Sequence, residues 1–368
     1  MTSPLVELRR WMANRHVDAL YITRPVSIGY LTGFFAEPHE RLMALAVRRD
    51  DVKLIVPALE QQEANTHSSH ADVIAWRDGE DPYELVSGAL HGLVEVGVEK
   101  KHLSLDAAEV ITSRTGISEL VDVGAEIRRM RLTKREDEIE KLARAAAITD
   151  AATDRICAIL RAGQTEIEVA VTIGSVIGEL GATLAFPSLV QSGPNSALPH
   201  LEPSTRKLAP GDLVLLDLGA AVDGYKADTT RMAVVGEPGA QQREIHRVVL
   251  EAHDAAIGVA RAGVTSGDVD AAARRVIEAA GYGERFFHRV GHGLGLEGHE
   301  DPSLEPGSET VLEPGMVFTI EPGIYIPGFG GVRIEDDVVV EEGGCRVLTR
   351  ADRSLRVISE APRAGAAH

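Results

Sequence analysis

The sequence predicts an α/β protein of two domains. Residues 1–127 read as one alternating α/β unit, and residues 128–368 as an α+β domain with two similar halves. Three observations carry this. At 368 residues the chain is long enough for two cores. Up to about residue 125, short apolar runs alternate with helix-like stretches. Beyond it, helices followed by an acid-bearing hairpin occur twice, which suggests an internal pseudo-twofold.

In order, Leu5, Leu8, Trp11 and Met12 fall at helical spacing beside Arg9 and Arg10, so the chain opens on an amphipathic helix. Residues 18–23 read as a short strand ended by Arg24-Pro25. Residues 42–47 and 52–57 read as strands around the polar turn Arg48-Arg49-Asp50-Asp51. A polar helix over 59–70, a strand at 73–76, a helix over 82–94 and a strand at 103–106 follow. The loop 33–41, with Glu37, His39, Glu40 and Arg41, is rich in polar side chains for its length.

Thr133 followed by Glu136 fits a capping box. It opens a long helix to Arg161, stopped by Gly163. Further helices are expected over 165–180, 242–261 and 266–280. Between them, 211–219 is an aliphatic run that reads as a buried strand. Asp223-Gly224 is a hairpin turn, and 227–235 returns. The layout recurs as a strand at 317–320, a Gly-rich turn over 327–331 and a return strand over 332–340. No exact sequence repeat accompanies it, and a frayed tail is expected after Glu360.

The formal charge is −18, which argues against nucleic acid or an anionic membrane as partner, because both select basic surfaces. With only two cysteines, Cys157 and Cys345, one disulfide is conceivable; two reduced thiols in a cytoplasmic protein is the reading taken. The start lacks an apolar run of signal-peptide type, and no stretch approaches the roughly 18 apolar residues of a membrane span.

The chemistry lies in acids set where acids do not belong. Asp217 interrupts a strand of Leu and Val, and an ionised carboxylate there needs a partner or a metal. The turn at Asp223-Gly224 brings Asp228 roughly opposite Asp217, and two like charges held that close need a cation. Glu321 and Glu335 flank a Gly-rich turn near Gly328 and should face each other likewise. Arg333 lies on the face of Glu335 and is placed to orient a ligating carboxylate from behind. His292 stands between Gly291 and Gly293, whose missing side chains let backbone approach a bound object. His200, in a turn-rich loop, and His299 read as substrate-facing. Four carboxylates and one imidazole favour Mn, Mg or Fe(II), with Co and Zn possible. Paired divalent ions about 3.5–4 Å apart activate water and polarise a carbonyl, so the set is hydrolytic machinery. Competing motifs fail. Gly293-Leu-Gly295-Leu-Glu-Gly298 fits GxGxxG, but His299-Glu-Asp-Pro302 cannot open the helix that a dinucleotide site needs. There is no phosphate loop, no HExxH and no nucleophile elbow.

Five segments together resemble the proline-specific metallopeptidases, Xaa-Pro dipeptidase (prolidase) and aminopeptidase P, of the pita-bread fold. They are Leu216-Asp217-Leu-Gly, Tyr225-Lys-Ala-Asp228-Thr-Thr-Arg231, Gly291-His292-Gly-Leu-Gly-Leu-Glu-Gly-His299-Glu300, Ile320-Glu321-Pro-Gly and Val332-Arg333-Ile-Glu335-Asp336. The resemblance implies a creatinase-like α/β domain followed by a pita-bread catalytic domain. It implies two divalent metal ions, Mn favoured, on Asp217, Asp228, His292, Glu321 and Glu335. It also implies hydrolysis before proline, with Glu321 taking the proton of the attacking water, His299 stabilising the oxyanion and His200 near the scissile nitrogen. Short proline-containing peptides are the implied substrates, and a homodimer the implied assembly. In it the loop 37–41 of one subunit would lie near the other's site. Val290 and Glu297 depart from the residues many relatives carry, Thr and Asp. Between dipeptidase and aminopeptidase P, the short charged loop 37–41 favours a site closed around a dipeptide. A metal-free creatinase-like amidinohydrolase, a lyase and a non-catalytic binding protein on the same fold are the alternatives, and the intact ligand set argues against the first.

Overall fold

The computed structural model describes residues 3–360, and the expected tail after Glu360 lies outside them. The chain divides after Arg131 into two compact units.

The first unit is a six-stranded sheet with helices between its strands. It runs α1 (Pro4–Arg15), β1 (Ala19–Ile22), α2 (Pro25–Thr32), β2 (Ala44–Arg48), β3 (Val52–Pro57), α3 (Gln61–His67), β4 (Asp72–Trp76), α4 (Pro82–Leu90), β5 (Glu95–Val98), α5 (Leu105–Thr115), β6 (Glu119–Asp122) and α6 (Gly124–Leu132). The sheet order is β4-β3-β2-β1-β5-β6, with the expected antiparallel hairpin β2–β3 inside it. Ala19, Tyr21, Ala44, Ala46 and Ile55 pack with α4 and α5 residues in one buried cluster. The strand expected at 103–106 is a correction: Ser104 caps α5 there, its side chain accepting from Ala107 N–H. A Ser cap with an acid in the first turn is a helix start, and the strand lies earlier, at β5. In the loop 33–41, Arg41 forks onto Asp78 at 3.0 Å and also meets Glu40.

The second unit opens with α7 (Glu136–Ile159). Its cap is not Thr133. The Arg135 N–H donates to the Glu138 side chain at 2.8 Å, while Thr133 makes a β-bridge with Met316. Then come α8 (Glu166–Glu179), β7 (Thr183–Leu184), β8 (Leu189–Ser192), β9 (Leu213–Leu218), β10 (Ala220–Val222), β11 (Tyr225–Lys226), β12 (Thr229–Val235), α9 (Ala240–Val259) and α10 (Ser266–Ala279). The remainder is β13 (Gly291–Gly293), β14 (Glu300–Leu304), β15 (Val317–Ile320), β16 (Gly323–Ile326), β17 (Gly330–Arg333), β18 (Asp336–Val340), β19 (Cys345–Val347) and β20 (Arg356–Ile358). Two sheets, β20-β12-β9-β8 and β14-β13-β15-β18-β19, form its frame.

Strand β9 shows why its sequence is nearly all aliphatic. Val214, Leu216 and Leu218 enter a cluster with residues of α7 and α8, while Leu213 and Leu215 enter a cluster with residues of α9 and α10. Both faces are covered, so the alternation of a half-exposed strand is lost. The two halves repeat in detail. Arg161-Ala-Gly-Gln-Thr165 and Arg261-Ala-Gly-Val-Thr265 each end on a threonine that caps a helix, α8 and α10. Leu208-Ala-Pro-Gly211 and Leu312-Glu-Pro-Gly315 each lead into a strand whose end carries an acid, Asp217 or Glu321. Cys157 and Cys345 are both free thiols. Among the described residues no helix is long and apolar enough to cross a membrane.

Candidate metal centre and its cavity

Asp217 is the fifth residue of β9, and Asp228 immediately precedes β12. Their pairing is a correction. Asp217 faces Thr230, and Leu218 faces Thr229, so Asp228 lies two residues beyond the position opposite Asp217. The cause is the tight two-residue turn: Val222 pairs with Tyr225, and Asp223 and Gly224 both have positive φ, 51° and 83°. Because a strand repeats every two residues, the displacement keeps both carboxylates on one face.

Glu321 and Glu335 sit in the break between two ladders of a single register. Ile320 pairs with Asp336 on one side, and Gly323 with Arg333 on the other. The acids therefore lie opposite each other. Phe318 and Ile320 turn into the core, so Thr319 and Glu321 point the other way.

His292 lies on β13, and its flanking glycines serve the sheet. A Cβ on Gly291 would stand 1.9 Å from Thr319 O, and one on Gly293 2.1 Å from Asp301 O. Neighbouring strands approach here, which is a different cause from the one expected. The imidazole Nδ1 is 3.1 Å from Gly293 O, so Nδ1–H donates there. The Nε2 lone pair is left toward the acids, 3.3 Å from Glu321 Oε1. Burial holds His292 neutral, lowering its pKa to about 3.

One ligand atom each from Asp228, His292 and Glu335 lies within 4.8 Å of the other two, and all three residues are buried. Arg333 joins Asp217 to the group. Its Nη2 donates to Asp217 Oδ2 at 2.5 Å and its Nε to Thr230 Oγ1 at 3.0 Å, and Nε is 4.0 Å from both Glu321 and Glu335. Thr230 Oγ1 in turn donates to Glu335 Oε2 at 2.5 Å. Asp217 Oδ1 and Asp228 Oδ1 are buried and accept no hydrogen bond from the described residues.

One guanidinium cannot neutralise four acids. Burial first, then the other carboxylates, push Asp228 and Glu335 well above the usual range. Burial raises Asp217 against the pull of Arg333, and raises Glu321 to about 7. Orphaned carboxylate oxygens, a neutral imidazole with its lone pair inward and a deficit of positive charge fit a hard or borderline divalent cation.

These residues line one cavity of about 1520 Å³. His200 and His299 lie on its wall, both exposed, and the His299 ring centroid is 3.9 Å from that of His292. All eight residues singled out in the sequence are thus brought together. Three that were not assigned join them. Tyr325 OH accepts from Arg333 Nη1 at 3.2 Å and lies 3.0 Å from His288 Nε2. His288 Nδ1 donates to Arg289 O at 2.7 Å, so Nε2 accepts from the tyrosine. A hydrogen-bond chain therefore runs from His288 through Tyr325 and Arg333 to Asp217. Arg289 also lines the cavity, donating to Ser303 Oγ at 3.0 Å. The lining also has an apolar part, which includes Ile167, Val171, Leu184, Phe186 and Leu198. His288 and Arg289, inside the run His288-Arg-Val-Gly-His292, carried a hint in the sequence; Tyr325 carried none.

A model of metallopeptidase family M24 matches residues 140–342, and one of the creatinase/prolidase N-terminal domain matches residues 5–133. The chain is 40% identical to an Xaa-Pro dipeptidase of Lactobacillus helveticus, over 96% of this chain and 98% of that one. It resembles the solved Xaa-Pro dipeptidase from Bacillus anthracis with a TM-score of 0.90 at 34% identity, covering 96% of this chain and 99% of that one. An X-Pro aminopeptidase from Thermotoga maritima gives a TM-score of 0.90 at 34% identity, covering 97% and 100%.

Proposed function

The chain belongs to metallopeptidase family M24, and from that premise we propose that it is a metal-dependent Xaa-Pro dipeptidase. The carrying observation is the convergence of Asp228, His292 and Glu335 beside Asp217 and Glu321, with buried carboxylate oxygens that no donor among the described residues satisfies. In this reading residues 128–368 are the catalytic domain and 1–127 the N-terminal one. Asp217, Asp228, His292, Glu321 and Glu335 hold two divalent ions, Mn2+ favoured. When bound, these ions lower the pKa of a water and polarise the substrate carbonyl.

The side chains do the rest. Glu321 takes the proton that the attacking water gives up. His299, beside His292, donates to the carbonyl oxygen as it gains charge. His200 meets the scissile nitrogen from the cavity wall. Arg333 fixes Asp217 and, through Thr230, Glu335. A dipeptide carries its free carboxylate one residue beyond the scissile bond. Arg289 brings a guanidinium to the cavity lining, where it donates to a neutral hydroxyl, that of Ser303. We therefore assign it to that carboxylate. A cytoplasmic homodimer belongs to the same reading, as does a substrate-enclosing role for the loop 37–41.

The size of the cavity supports a second reading, an Xaa-Pro aminopeptidase acting on longer peptides. Hydrolysis of matched Xaa-Pro, Xaa-Pro-Yaa and Xaa-Ala peptides with Mn2+ present separates the two. The first reading expects cleavage of Xaa-Pro above all. Cleavage of the tripeptide alone would reject it in favour of the second. Arg289→Gln should raise KM for the dipeptide by about tenfold or more and leave that for an amidated tripeptide nearly unchanged.

A further inference from the structure

His200 is exposed on the cavity wall, yet its loop is held by two fully buried polar side chains, Gln191 and Glu166. Gln191 lies on β8. Its Nε2 donates to Leu198 O at 2.9 Å, Pro199 O at 3.2 Å and Leu201 O at 3.0 Å. These are carbonyls on both sides of His200. The opposite amide orientation would set an oxygen against all three. The present one leaves Gln191 Oε1 buried without a partner, a cost that the three contacts offset.

Glu166 is the first residue of α8, where a carboxylate suits the helix dipole. It accepts from Ser192 N–H at 2.7 Å, Ser192 Oγ at 2.7 Å, Asn195 Nδ2 at 3.1 Å, Ser204 N–H at 3.0 Å and Ser204 Oγ at 2.6 Å. Both ends of segment 192–204 are thereby tied to one carboxylate. A third tie reaches the ligand hairpin: Gly331 N–H donates to Ser196 Oγ at 2.9 Å. Two residues on from Gly331 stands Arg333, and four on stands Glu335.

We propose that Gln191 and Glu166 are positioning residues for His200, fixing its height above the acid cluster through the carbonyls and loop ends that flank it. The hydrogen bonds are concentrated on the peptide groups around one exposed imidazole. A loop needing only to be folded requires no such concentration. Misplacing a reacting group by about 1 Å costs on the order of a hundredfold in rate, so a loop of this length near a reaction centre gains from such ties. The inference rests on the reading of His200 as substrate-facing.

The test is a double-mutant cycle on the full-length metal-loaded enzyme, using Gln191→Met and His200→Ala, with bound metal per chain measured alongside. Gln191→Met should lower kcat/KM for an Xaa-Pro dipeptide about tenfold with His200 present. In the His200→Ala background it should lower it less than about twofold, with metal content unchanged in both. An equal loss in both backgrounds overturns the inference while leaving the role of His200 standing. An unchanged kcat/KM in His200→Ala alone overturns the role of His200, and this inference with it. Should Gln191→Met not fold, Glu166→Gln carries the same cycle, because it keeps the shape of the tie while removing its charge.

Discussion

Arg333 shows how one side chain is made to serve several others. The second-half segment equivalent to β9 puts Glu321 where the first half has Asp217. By the same register Glu335 answers to Thr230, and Arg333 to Asp228. The two halves are alike in backbone, but an acid in one faces a base or a hydroxyl in the other. Arg333→Met should therefore remove the donor to Asp217 and Thr230 and leave Tyr325 without its cation. We expect kcat/KM to fall about 10–100-fold and metal to dissociate more readily, as measured by steady-state kinetics and competition with a chelator. The ligand types were legible because an acid inside a Leu and Val run has few alternatives. The partner of Asp228 was not. The turn lies where expected, at Asp223-Gly224, but a two-residue turn there sets Asp217 against Thr230. The difference of two is the period of a strand, so the face survived while the partner changed. The chain from His288 through Tyr325 to Arg333 was illegible, because nothing local joins those residues.

Among the elements, β13 is closely hemmed in by its neighbours. Its three residues, Gly-His-Gly, lie between β14 and β15, with carbonyls of Thr319 and Asp301 where side chains would be. Gly293→Ala should cost about 1–3 kcal/mol in chemical denaturation. Gly178→Ala, in α8 with open space around it, should instead stabilise by about 0.5–1 kcal/mol. Equal effects would contradict the packing described for β13. Long amphipathic helices such as α9 and α10 were legible from periodicity, as were the buried runs of β9 and β15. Helices α5 and α6 were not. Thr133 looked like a cap because Glu136 follows at the right spacing, but α6 carries helix through Leu132, and the next cap falls on Arg135.

For the whole molecule, the acid cluster makes stability depend on pH and metal together. Glu321 is raised from 4.5 to about 7, and Asp217, Asp228 and Glu335 are raised as well. Between the ordinary carboxylate range and about pH 7 these four acids bind more protons in the metal-free folded state than in the unfolded chain, so their contribution to stability is lost as pH rises. The buried His292 and His288, lowered to about 3 and about 4, contribute with the opposite sign below the ordinary imidazole range. Metal requires the same groups deprotonated, so affinity rises over that window. From pH 5 to pH 8 the gain in midpoint on adding Mn2+ to chelated protein should widen. A gain independent of pH would mean that the metal binds elsewhere. The two-domain layout was legible from composition and pattern. The internal pseudo-twofold was legible in the recurring layout, but its matching segments were not, because they are four or five residues long and lie about a hundred positions apart. The most direct measurement of all is the titration of chelated protein with Mn2+ while Xaa-Pro hydrolysis and bound metal are followed on the same sample. Hydrolysis should be absent without metal, and activity should saturate near two ions per chain. Full activity in protein freed of metal would contradict the proposed metal centre.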